Sequence, residues 1–264
     1  MDKRVSLIYC TCDKYESLWA IFFYLWKKYW PSFASQVIFN SESKEFSYSD
    51  INFLRPSFSK HDLTWSERLY ECLEAVQSPY VIITLDDFYL KSPVDVDTLQ
   101  FCVNQMDRDE NIKLFTFASQ PGNNKACEFS ECFEERARFA TYRINAQIGL
   151  WRVSYLRSII RKSENPWEFE LNGSFRSCFY PGKLYSLKKS APLVFDYDWG
   201  FLIIRGKLNR EVANYFLKDS QIVFDESFTD IDMNAYRALG ENKRGRFLRM
   251  LKYLFKMIMS LFEK

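Results

Sequence analysis

The sequence has 264 residues, a length that suits one α/β domain or one domain with a small appendage. Apolar residues make up 47% of the chain, enough for a large core, and the net charge of +2 gives no overall basic field of the kind that nucleic-acid binding needs. Seven scattered cysteines without paired CxxC spacing and a single histidine argue against a Cys/His zinc site and indicate reduced thiols in the cytoplasm.

Hydrophobic periodicity predicts alternating strands and helices through the first half of the chain. In chain order these are a strand over Val5–Cys10, a helix from about Ser17 to Tyr29, a strand over Gln36–Asn40, a helix that Thr64 caps and that ends near Val76, a strand over Tyr80–Leu85, a helix beginning at Asp95 or Asp97, and a strand over Lys113–Ala118. Thr64 and Glu67 have the spacing of a capping box. The wholly apolar Tyr80–Leu85 strand belongs in the middle of a parallel sheet, which predicts a doubly wound nucleotide-binding half.

The second half of the chain is less regular. Its predicted elements are a polar loop over Gln120–Arg138, a strand over Thr141–Arg152, and helices over Ser154–Lys162, Pro166–Cys178 and Asn209–Leu217. No internal repeat and no low-complexity linker divides the sequence. We therefore expect one domain over residues 1–240, followed by a basic amphipathic helix over residues 241–264.

Two adjacent carboxylates, Asp86 and Asp87, directly follow the buried Tyr80–Leu85 strand. The carboxyl edge of an α/β sheet is where such folds bind ligands. Two carboxylates this close repel each other, and a divalent cation that also bridges a diphosphate would offset the repulsion. An Asp-rich turn, in which one carboxylate caps the loop backbone, is the alternative. The apolar strand before the pair and the aromatic residues after it favour a ligand site.

The C-terminal segment concentrates basic charge, with seven Lys/Arg against two Glu in residues 241–264. Its apolar residues fall at helical spacing, with the cations mostly on other faces: Phe247, Met250, Leu251, Leu254, Ile258 and Leu261. This pattern predicts a helix lying in an anionic membrane surface, and packing on the domain itself is the alternative. Because no segment is apolar over a bilayer-spanning length and no signal peptide is evident, we expect a cytoplasmic protein bound peripherally to the inner face of the cytoplasmic membrane.

Several short motifs occur in an order that resembles one family. They are Cys12-Asp13-Lys14-Tyr15, Trp65-Ser66-Glu67-Arg68-Leu69, Leu85-Asp86-Asp87-Phe88, Gln147-Ile148-Gly149-Leu150-Trp151-Arg152, Asn165-Pro166-Trp167-Glu168-Phe169-Glu170 and Arg205-Gly206-Lys207. Together they resemble bacterial GT-A glycosyltransferases encoded with capsule and O-antigen genes. The departure is that no residue separates Asp86 from Asp87, unlike the usual Asp-x-Asp. The resemblance implies a GT-A-like α/β fold with a doubly wound, mostly parallel sheet and flanking helices, to which the C-terminal amphipathic helix is appended.

The resemblance also implies how a nucleotide-sugar donor would be bound. Asp13 would lie near the nucleobase or the ribose, and capping of the helix ahead of Tyr15 is an equal alternative. Arg68 would reach the diphosphate, where a guanidinium can donate two parallel hydrogen bonds. A surface ion pair with Glu67 or Glu71 is the alternative for this arginine.

The same resemblance assigns a metal and a catalytic base. Asp87 would be the first ligand of Mn²⁺ or Mg²⁺, and Asp86 would contact the ribose or a water on that metal. Either Glu168 or Glu170 would remove the proton from the acceptor hydroxyl; Glu168 is narrowly the first choice, and the alternative is that both favour a helix N-terminus electrostatically. Lys207 would neutralise phosphate charge, or it is a solvated lysine of a turn.

The resemblance therefore implies a glycosyltransferase that moves a sugar from a nucleotide-diphosphate donor, such as a UDP-sugar, to a hydroxyl of a lipid-linked oligosaccharide in surface polysaccharide synthesis. One alternative is a sugar-phosphate nucleotidyltransferase, which would favour a glycine-rich loop after the first strand, where this chain has Cys10-Thr11-Cys12-Asp13. The other is a non-catalytic carbohydrate-binding protein that uses its exposed aromatic residues.

Overall fold

The computed structural model describes residues 3–33, 36–122, 124–197, 202–204, 206–225, 228–234 and 257–262. The strands and helices in these ranges are β1 (Val5–Cys10), α1 (Glu16–Tyr29), β2 (Gln36–Asn40), β3 (Asn52–Leu54), α2 (Trp65–Ala75), β4 (Tyr80–Leu85), α3 (Val96–Arg108), β5 (Ile112–Thr116), β6 (Lys125–Ala126), β7 (Phe133–Glu135), β8 (Gly149–Arg152), α4 (Val153–Ile159), α5 (Pro166–Ser177), β9 (Lys183–Leu187), β10 (Ile203–Ile204), β11 (Lys207–Leu208) and α6 (Arg210–Phe216). A short 3₁₀ turn over Asp13–Tyr15 leads into α1.

Nine of these strands form one mixed sheet in the order β3-β2-β1-β4-β8-β5-β9-β7-β6, and β10 and β11 form a separate hairpin. The first four strands are parallel to one another, as are β5 and β9. β8 is antiparallel to both of its neighbours, β4 and β5. The predicted doubly wound, mostly parallel sheet is confirmed. The expectation that β4 lies wholly among parallel strands is wrong, because β8 pairs along its other side.

Alternate residues of β1 enter two different cores, which is the pattern of a sheet covered on both faces. Leu7 and Tyr9 face the core that α1, α3 and α6 cover, and Ile8 and Cys10 face the core that α2, α4 and α5 cover. The first core is strongly aromatic, because α1 fully buries the rings of Trp19, Phe22, Phe23 and Trp26. Complete burial of one such side chain contributes about 1.5–3 kcal/mol, so α1 is firmly fixed on the sheet.

The predicted helix starts are confirmed where a capping side chain is present. Thr64 and Glu67 form the capping box of α2, Asp95 caps α3, and Pro166 lies in the first turn of α5. Each cap satisfies backbone N–H groups that have no partner inside the helix, which makes these boundaries readable from a few residues.

The segment before β8 differs from the sequence prediction. The strand expected over Thr141–Arg152 is confined to Gly149–Arg152, because side chains satisfy the backbone ahead of it. Ser174 accepts from the N–H of Ile144, and Glu170 accepts from the N–H of Ala146. The predicted polar loop over residues 120–138 likewise contains the two short strands β6 and β7 at the far edge of the sheet.

A buried ion pair fixes α5 against α2. Glu164 accepts two hydrogen bonds of 2.6 Å from the guanidinium of Arg176 and a third of 2.9 Å from Asn172. The backbone of Glu164 is paired with Ser66 of α2, through N–H···O bonds of 2.9 and 3.2 Å. Because every charge in this cluster has a partner, the start of α5 has a defined position relative to α2.

Most of the predicted C-terminal helix lies outside the described residues, which include only residues 257–262 of that segment. There the carbonyl of Ser260 accepts a 3.2 Å hydrogen bond from Nε of Arg161, and Ser260 is buried. In the ranges given above, no helix is long and apolar enough to cross a membrane.

Candidate functional site

The acid pair lies at the carboxyl edge of the sheet, where three parallel strands end together. Cys10 at the end of β1 is in register with Leu85 of β4 and with Asn40 of β2. Asp86 and Asp87 follow Leu85 in a turn, so their carboxylates stand at the edge where doubly wound folds bind ligands.

A relay of hydrogen bonds from α1 orients the first acid. The indole N–H of Trp19 donates to Oγ1 of Thr11 over 2.7 Å, and the Thr11 hydroxyl donates to Oδ2 of Asp86 over 2.6 Å. Since the indole occupies an acceptor position of the hydroxyl, the hydroxyl proton is directed at the carboxylate. Among the described residues, no side chain donates a hydrogen bond to Asp87, which leaves that acid available to a ligand. Neither Thr11 nor Trp19 was among the predicted site residues.

The two carboxylates have raised pKa values because protein surrounds them. Burial raises the pKa of Asp86 to about 6, against the hydrogen bond from Thr11, which lowers it. Burial and the neighbouring charge of Asp86 together raise the pKa of Asp87 to about 8. The pair therefore resists carrying two negative charges at neutral pH.

The residues present fit a divalent cation of the hard type. Carboxylate oxygens are the ligands that Mg²⁺ and Mn²⁺ prefer, and a dication would offset the repulsion between Asp86 and Asp87. The described ranges hold no group of three or more His, Cys, Asp or Glu residues that could bind a metal without other ligands. A cation here would thus need oxygen ligands from a bound molecule, as Mg²⁺ does when phosphates complete its coordination.

A hairpin from the C-terminal part of the fold lies against Tyr15, in the loop that follows β1. Burial, followed by the charge of Asp86, raises the pKa of Tyr15 to about 12, so its hydroxyl is neutral at physiological pH. Gly206, with a φ of 77°, forms the turn of the β10–β11 hairpin, and a Cβ there would lie 3.9 Å from the Tyr15 hydroxyl and 2.5 Å from Nζ of Lys14. The exposed Lys207 thus starts a strand beside this turn, while Arg205 lies outside the described residues.

Arg68 is buried at the same edge rather than on the surface. Its guanidinium donates to Oδ1 of Asn40 over 3.2 Å and to the carbonyls of Leu63 and Thr11 over 3.0 and 3.4 Å. A surface ion pair with the neighbouring helix glutamates is therefore wrong, and the carboxylate nearest to Arg68 is that of Glu42, at 3.9 Å. The charge joins the loops that follow β1 and β2, and it holds the backbone of Thr11, the residue whose hydroxyl orients Asp86.

Asp13 closes the loop that follows β2. Its carboxylate accepts hydrogen bonds from the backbone N–H groups of Glu42, Ser43 and Lys44 and from the Ser43 hydroxyl. Burial acts to raise the pKa of Asp13, but these hydrogen bonds outweigh it, and the pKa lies below its usual value. The alternative of a helix cap is not what the structure has, since Tyr15 is the N-cap of α1 and makes no side-chain cap.

The two candidate bases on α5 have different surroundings. Glu168 and Asn165 form a capping box in which each side chain accepts from the backbone N–H of the other, at 3.2 and 3.0 Å. Glu170 accepts a 2.9 Å hydrogen bond from the N–H of Ala146, and burial raises its pKa against that bond. Trp167 next to them is 72% exposed. Only Glu170 thus points its carboxylate at the segment that enters β8.

That segment connects Glu170 with the acid pair. The Tyr197 hydroxyl lies 3.0 Å from Oε1 of Gln147 and accepts from the N–H of Ile148 over 3.3 Å. The ring of Tyr197 packs on that of Phe88, the residue after Asp87, with 4.6 Å between the ring centres. Burial, followed by the charge of Asp87, raises the pKa of Tyr197 well above its usual value. Gln147 follows Ala146 directly, and the four residues from Asn145 to Ile148 therefore have Glu170 on one side and the neighbourhood of Asp87 on the other. No pattern in the sequence pointed to Tyr197.

No protein-family model and no curated protein matches this chain. Among solved structures, residues 1–349 of TarS from S. aureus align with a TM-score of 0.50 and 12% identity over 71% of this chain and 58% of that chain. The complex of the same fragment with UDP-GlcNAc aligns with a TM-score of 0.50 and 11% identity, over 71% and 56%. A cytidylyltransferase from Leptospira borgpetersenii aligns with a TM-score of 0.44 and 9% identity, over 86% and 99%.

The similarity to TarS, together with the sheet described above, establishes a GT-A-like α/β fold for the chain. The chain spans little more than half the length of the first of these structures. At such low identity the fold alone does not fix the reaction, and the site residues have to support the functional argument.

The first prediction concerns pH and stability in the presence of a chelator. The pKa of Asp87 is about 8 in the folded protein and about 3.9 in an unfolded chain, so the folded state binds the extra proton between these values. The free energy of unfolding of the wild type should therefore fall, relative to that of Asp87→Asn, as pH rises from 4 to 8. We expect Asp87→Asn to melt at a higher temperature than the wild type at pH 8 in EDTA, with the difference vanishing near pH 4.

Asp13→Asn is the matched control, because the lowered pKa of Asp13 reverses the sign. This variant should melt below the wild type at neutral pH and approach it as pH falls below about 4. A melting temperature of Asp87→Asn below that of the wild type at pH 8 in EDTA would contradict the electrostatic account of the acid pair.

Proposed function

We propose that the chain is a glycosyltransferase that moves a sugar from a nucleotide-diphosphate donor to an acceptor hydroxyl. The observation that supports this function best is the acid pair at the carboxyl edge of β4, in which Asp86 is oriented by Thr11 and Asp87 is left available. The GT-A-like fold and the UDP-GlcNAc complex of TarS support a UDP-sugar as the donor.

Each part of the donor would contact a different group of residues. Asp87, with Asp86 beside it, would hold Mn²⁺ or Mg²⁺, which stabilises negative charge on a leaving diphosphate. Asp13 lies on the loop after β2, where a nucleoside would lie against the ends of β1 and β2. Lys207 would add positive charge from the hairpin turn. Arg68 would act through the loops it joins, because its hydrogen bonds go to oxygens of Asn40, Leu63 and Thr11.

Glu170 is the better candidate for the base. In the transfer step, the acceptor oxygen forms a bond to the anomeric carbon, the bond from that carbon to the diphosphate oxygen breaks, and the acceptor proton moves to a carboxylate. Glu170 has a pKa raised by burial and is held by Ala146, whereas Glu168 is engaged in the capping box. The exposed ring of Trp167 is available to a sugar of the acceptor.

The acceptor is a hydroxyl of a lipid-linked oligosaccharide, and the enzyme works at the inner face of the cytoplasmic membrane. The basic tail supports this part of the proposal, because residues 241–264 combine seven Lys/Arg with apolar residues at helical spacing. In its described part, Ser260 is anchored to Arg161, while Ile258, Met259 and Phe262 remain exposed, the last of these by 76%. Anchored apolar side chains beside cations are suited to an anionic bilayer surface.

The second prediction tests donor and metal binding. A UDP-sugar with Mn²⁺ should raise the melting temperature of the wild type, because a ligand at a hundred times its Kd stabilises by about 2.7 kcal/mol. Asp87→Asn should lose both the shift and nearly all sugar transfer, and UDP-glucose and UDP-GlcNAc are the first donors to use. Wild-type turnover in Asp87→Asn at saturating Mn²⁺ would overturn the metal assignment.

Release of pyrophosphate from a nucleoside triphosphate and a sugar phosphate would instead identify a nucleotidyltransferase. A shift of the melting temperature with glycans alone would identify a carbohydrate-binding protein.

The third prediction separates the two glutamates of α5. Glu170→Gln should lower kcat by about 10²–10⁴-fold while donor binding is retained, because the amide can still accept from Ala146 but cannot take a proton. Glu168→Gln is the control, since glutamine also serves at the third position of a capping box and should leave kcat nearly unchanged. Normal kcat in Glu170→Gln would exclude this residue as the base, and a matching loss in Glu168→Gln alone would restore the choice made from sequence.

The fourth prediction concerns the membrane surface. Phe262→Asp should weaken binding to vesicles of phosphatidylcholine and phosphatidylserine, and raising the salt concentration should weaken binding of the wild type, because salt screens the attraction between cations and lipid. Phe139→Asp is the matched control, because Phe139 is an exposed phenylalanine elsewhere on the surface, 80% exposed. Equal binding by the wild type and Phe262→Asp would remove the tail from the membrane contact, and equal weakening in both variants would show an effect of charge alone.

A further inference from the structure

A cavity separate from the acid site opens between the C-terminal half of α1 and the turn that follows α6. Its volume is 540 Å³, and small-molecule sites typically measure about 300–1,000 Å³. Aromatic rings alternate with charged groups along its lining, which includes Tyr24, Lys28, Tyr29, Tyr215, Lys218 and Asp219. None of these residues belongs to the acid site described above.

Asp219 organises one side of this cavity. Its Oδ2 accepts hydrogen bonds of 2.7 Å from the Tyr24 hydroxyl and of 2.7 Å from Nζ of Lys28, and its Oδ1 accepts from the N–H of Gln221 over 3.1 Å. An ammonium group has three N–H donors, so Lys28 keeps donors beyond the one that Asp219 accepts. Nζ of Lys28 also lies 5.4 Å from the ring centre of Tyr29. These contacts hold a cation and two tyrosine rings in fixed positions.

The other side of the cavity presents an accessible ring with two cations beside it. Tyr215 is 45% exposed, and Nζ of Lys218 and Nζ of Lys91 lie 5.6 and 5.7 Å from its ring centre. In the part of the chain that the structure describes, no carboxylate lies within ion-pair distance of Lys218. The lining thus contains two lysines and one carboxylate, and that carboxylate is already bonded to Lys28.

We propose that this cavity binds an anionic oligosaccharide. The apolar C–H face of a sugar ring would stack on Tyr215, and a carboxylate or phosphate group of the sugar would meet the ammonium groups of Lys218 and Lys28. A ring with an apolar face and a polar edge is suited to sugars, and lysine serves as a compact charge for anions. The described lining contains no Asn or Gln side chain to recognise the edge of a nucleobase, which favours a saccharide over a nucleotide. The binding does not depend on the transfer reaction proposed above.

The test is calorimetric titration of the full-length protein with a galacturonate pentamer. We expect binding that weakens as salt increases, and a loss of at least ~10-fold in affinity in Tyr215→Ala and in Lys218→Ala, as is usual when a central contact is truncated. Both side chains are exposed, so neither substitution removes a buried side chain. Asp87→Asn should bind the pentamer as the wild type does, which separates this cavity from the donor site.

Lys162→Ala and Tyr70→Ala are the matched controls, because Nζ of Lys162 lies 4.7 Å from the ring centre of Tyr70 on the opposite face of the sheet. They should not change the affinity, and an equal loss in them would reduce the binding to general surface charge. Maltopentaose, inorganic phosphate and UDP complete the set of probes. The proposal is overturned if the pentamer does not bind, if maltopentaose binds equally well, or if phosphate or UDP alone reproduces the affinity and its loss in the cavity variants.

Discussion

Holding two adjacent carboxylates at the end of a buried strand is the constraint on which the rest of the site depends. Burial and mutual repulsion disfavour the doubly ionised pair, as the raised pKa values of Asp86 and Asp87 indicate. The fold offsets part of this cost for Asp86 alone, through the hydroxyl of Thr11 and the indole of Trp19. Asp87 receives no such help from the described side chains. This asymmetry gives two neighbouring residues different roles, one fixed by the protein and one left for a ligand.

The antiparallel strand β8 explains how the carboxylate of Glu170 is brought towards the edge that carries Asp86 and Asp87. Because β8 runs against β4, its first residue, Gly149, pairs with Ile83 near the carboxyl end of β4. The residues before Gly149 therefore lie at the ligand edge, without a strand partner. Glu170 and Tyr197 satisfy their backbone N–H groups instead. A departure from parallel pairing thus brings α5 and the acid pair to either side of one short segment.

The sequence predicted those parts of the fold that local chemistry determines. Capping residues predicted the helix starts, and an apolar run predicted β4. The position of Asp86 and Asp87 directly after a buried strand predicted that they lie at the carboxyl edge of the sheet. The same reasoning failed for the segment before β8, where side chains far away in sequence replace a strand partner. Thr11 could have been found, because a hydroxyl directly after β1 lies at the same edge as the acids. Tyr197 could not have been found, since its ring meets that of Phe88 only because the chain returns to this edge more than one hundred residues later.

Helix α1 is the element that both candidate sites share. Trp19 orients Asp86 through Thr11, and five residues later the hydroxyl of Tyr24 donates a hydrogen bond to Asp219 in the cavity between α1 and α6. At 1.5 Å per residue these two side chains start only about 7.5 Å apart along the helix axis. The buried ring of Tyr89 lies 5.3 Å from that of Phe216, which lines this cavity, and the Tyr89 hydroxyl donates to the carbonyl of Leu18 in α1.

This shared helix decides which substitutions can distinguish the two sites. A change that displaces α1, such as the loss of one of its buried rings, would alter the orientation of Asp86 and the shape of the cavity together, because packed cores transmit displacement. Asp87 and Tyr215 have no partner in common in the described structure, so substitutions at these two residues should act independently. The proposed donor chemistry and the proposed saccharide binding are therefore separable at Asp87 and Tyr215, whereas the aromatic core of α1 supports both candidate sites at once.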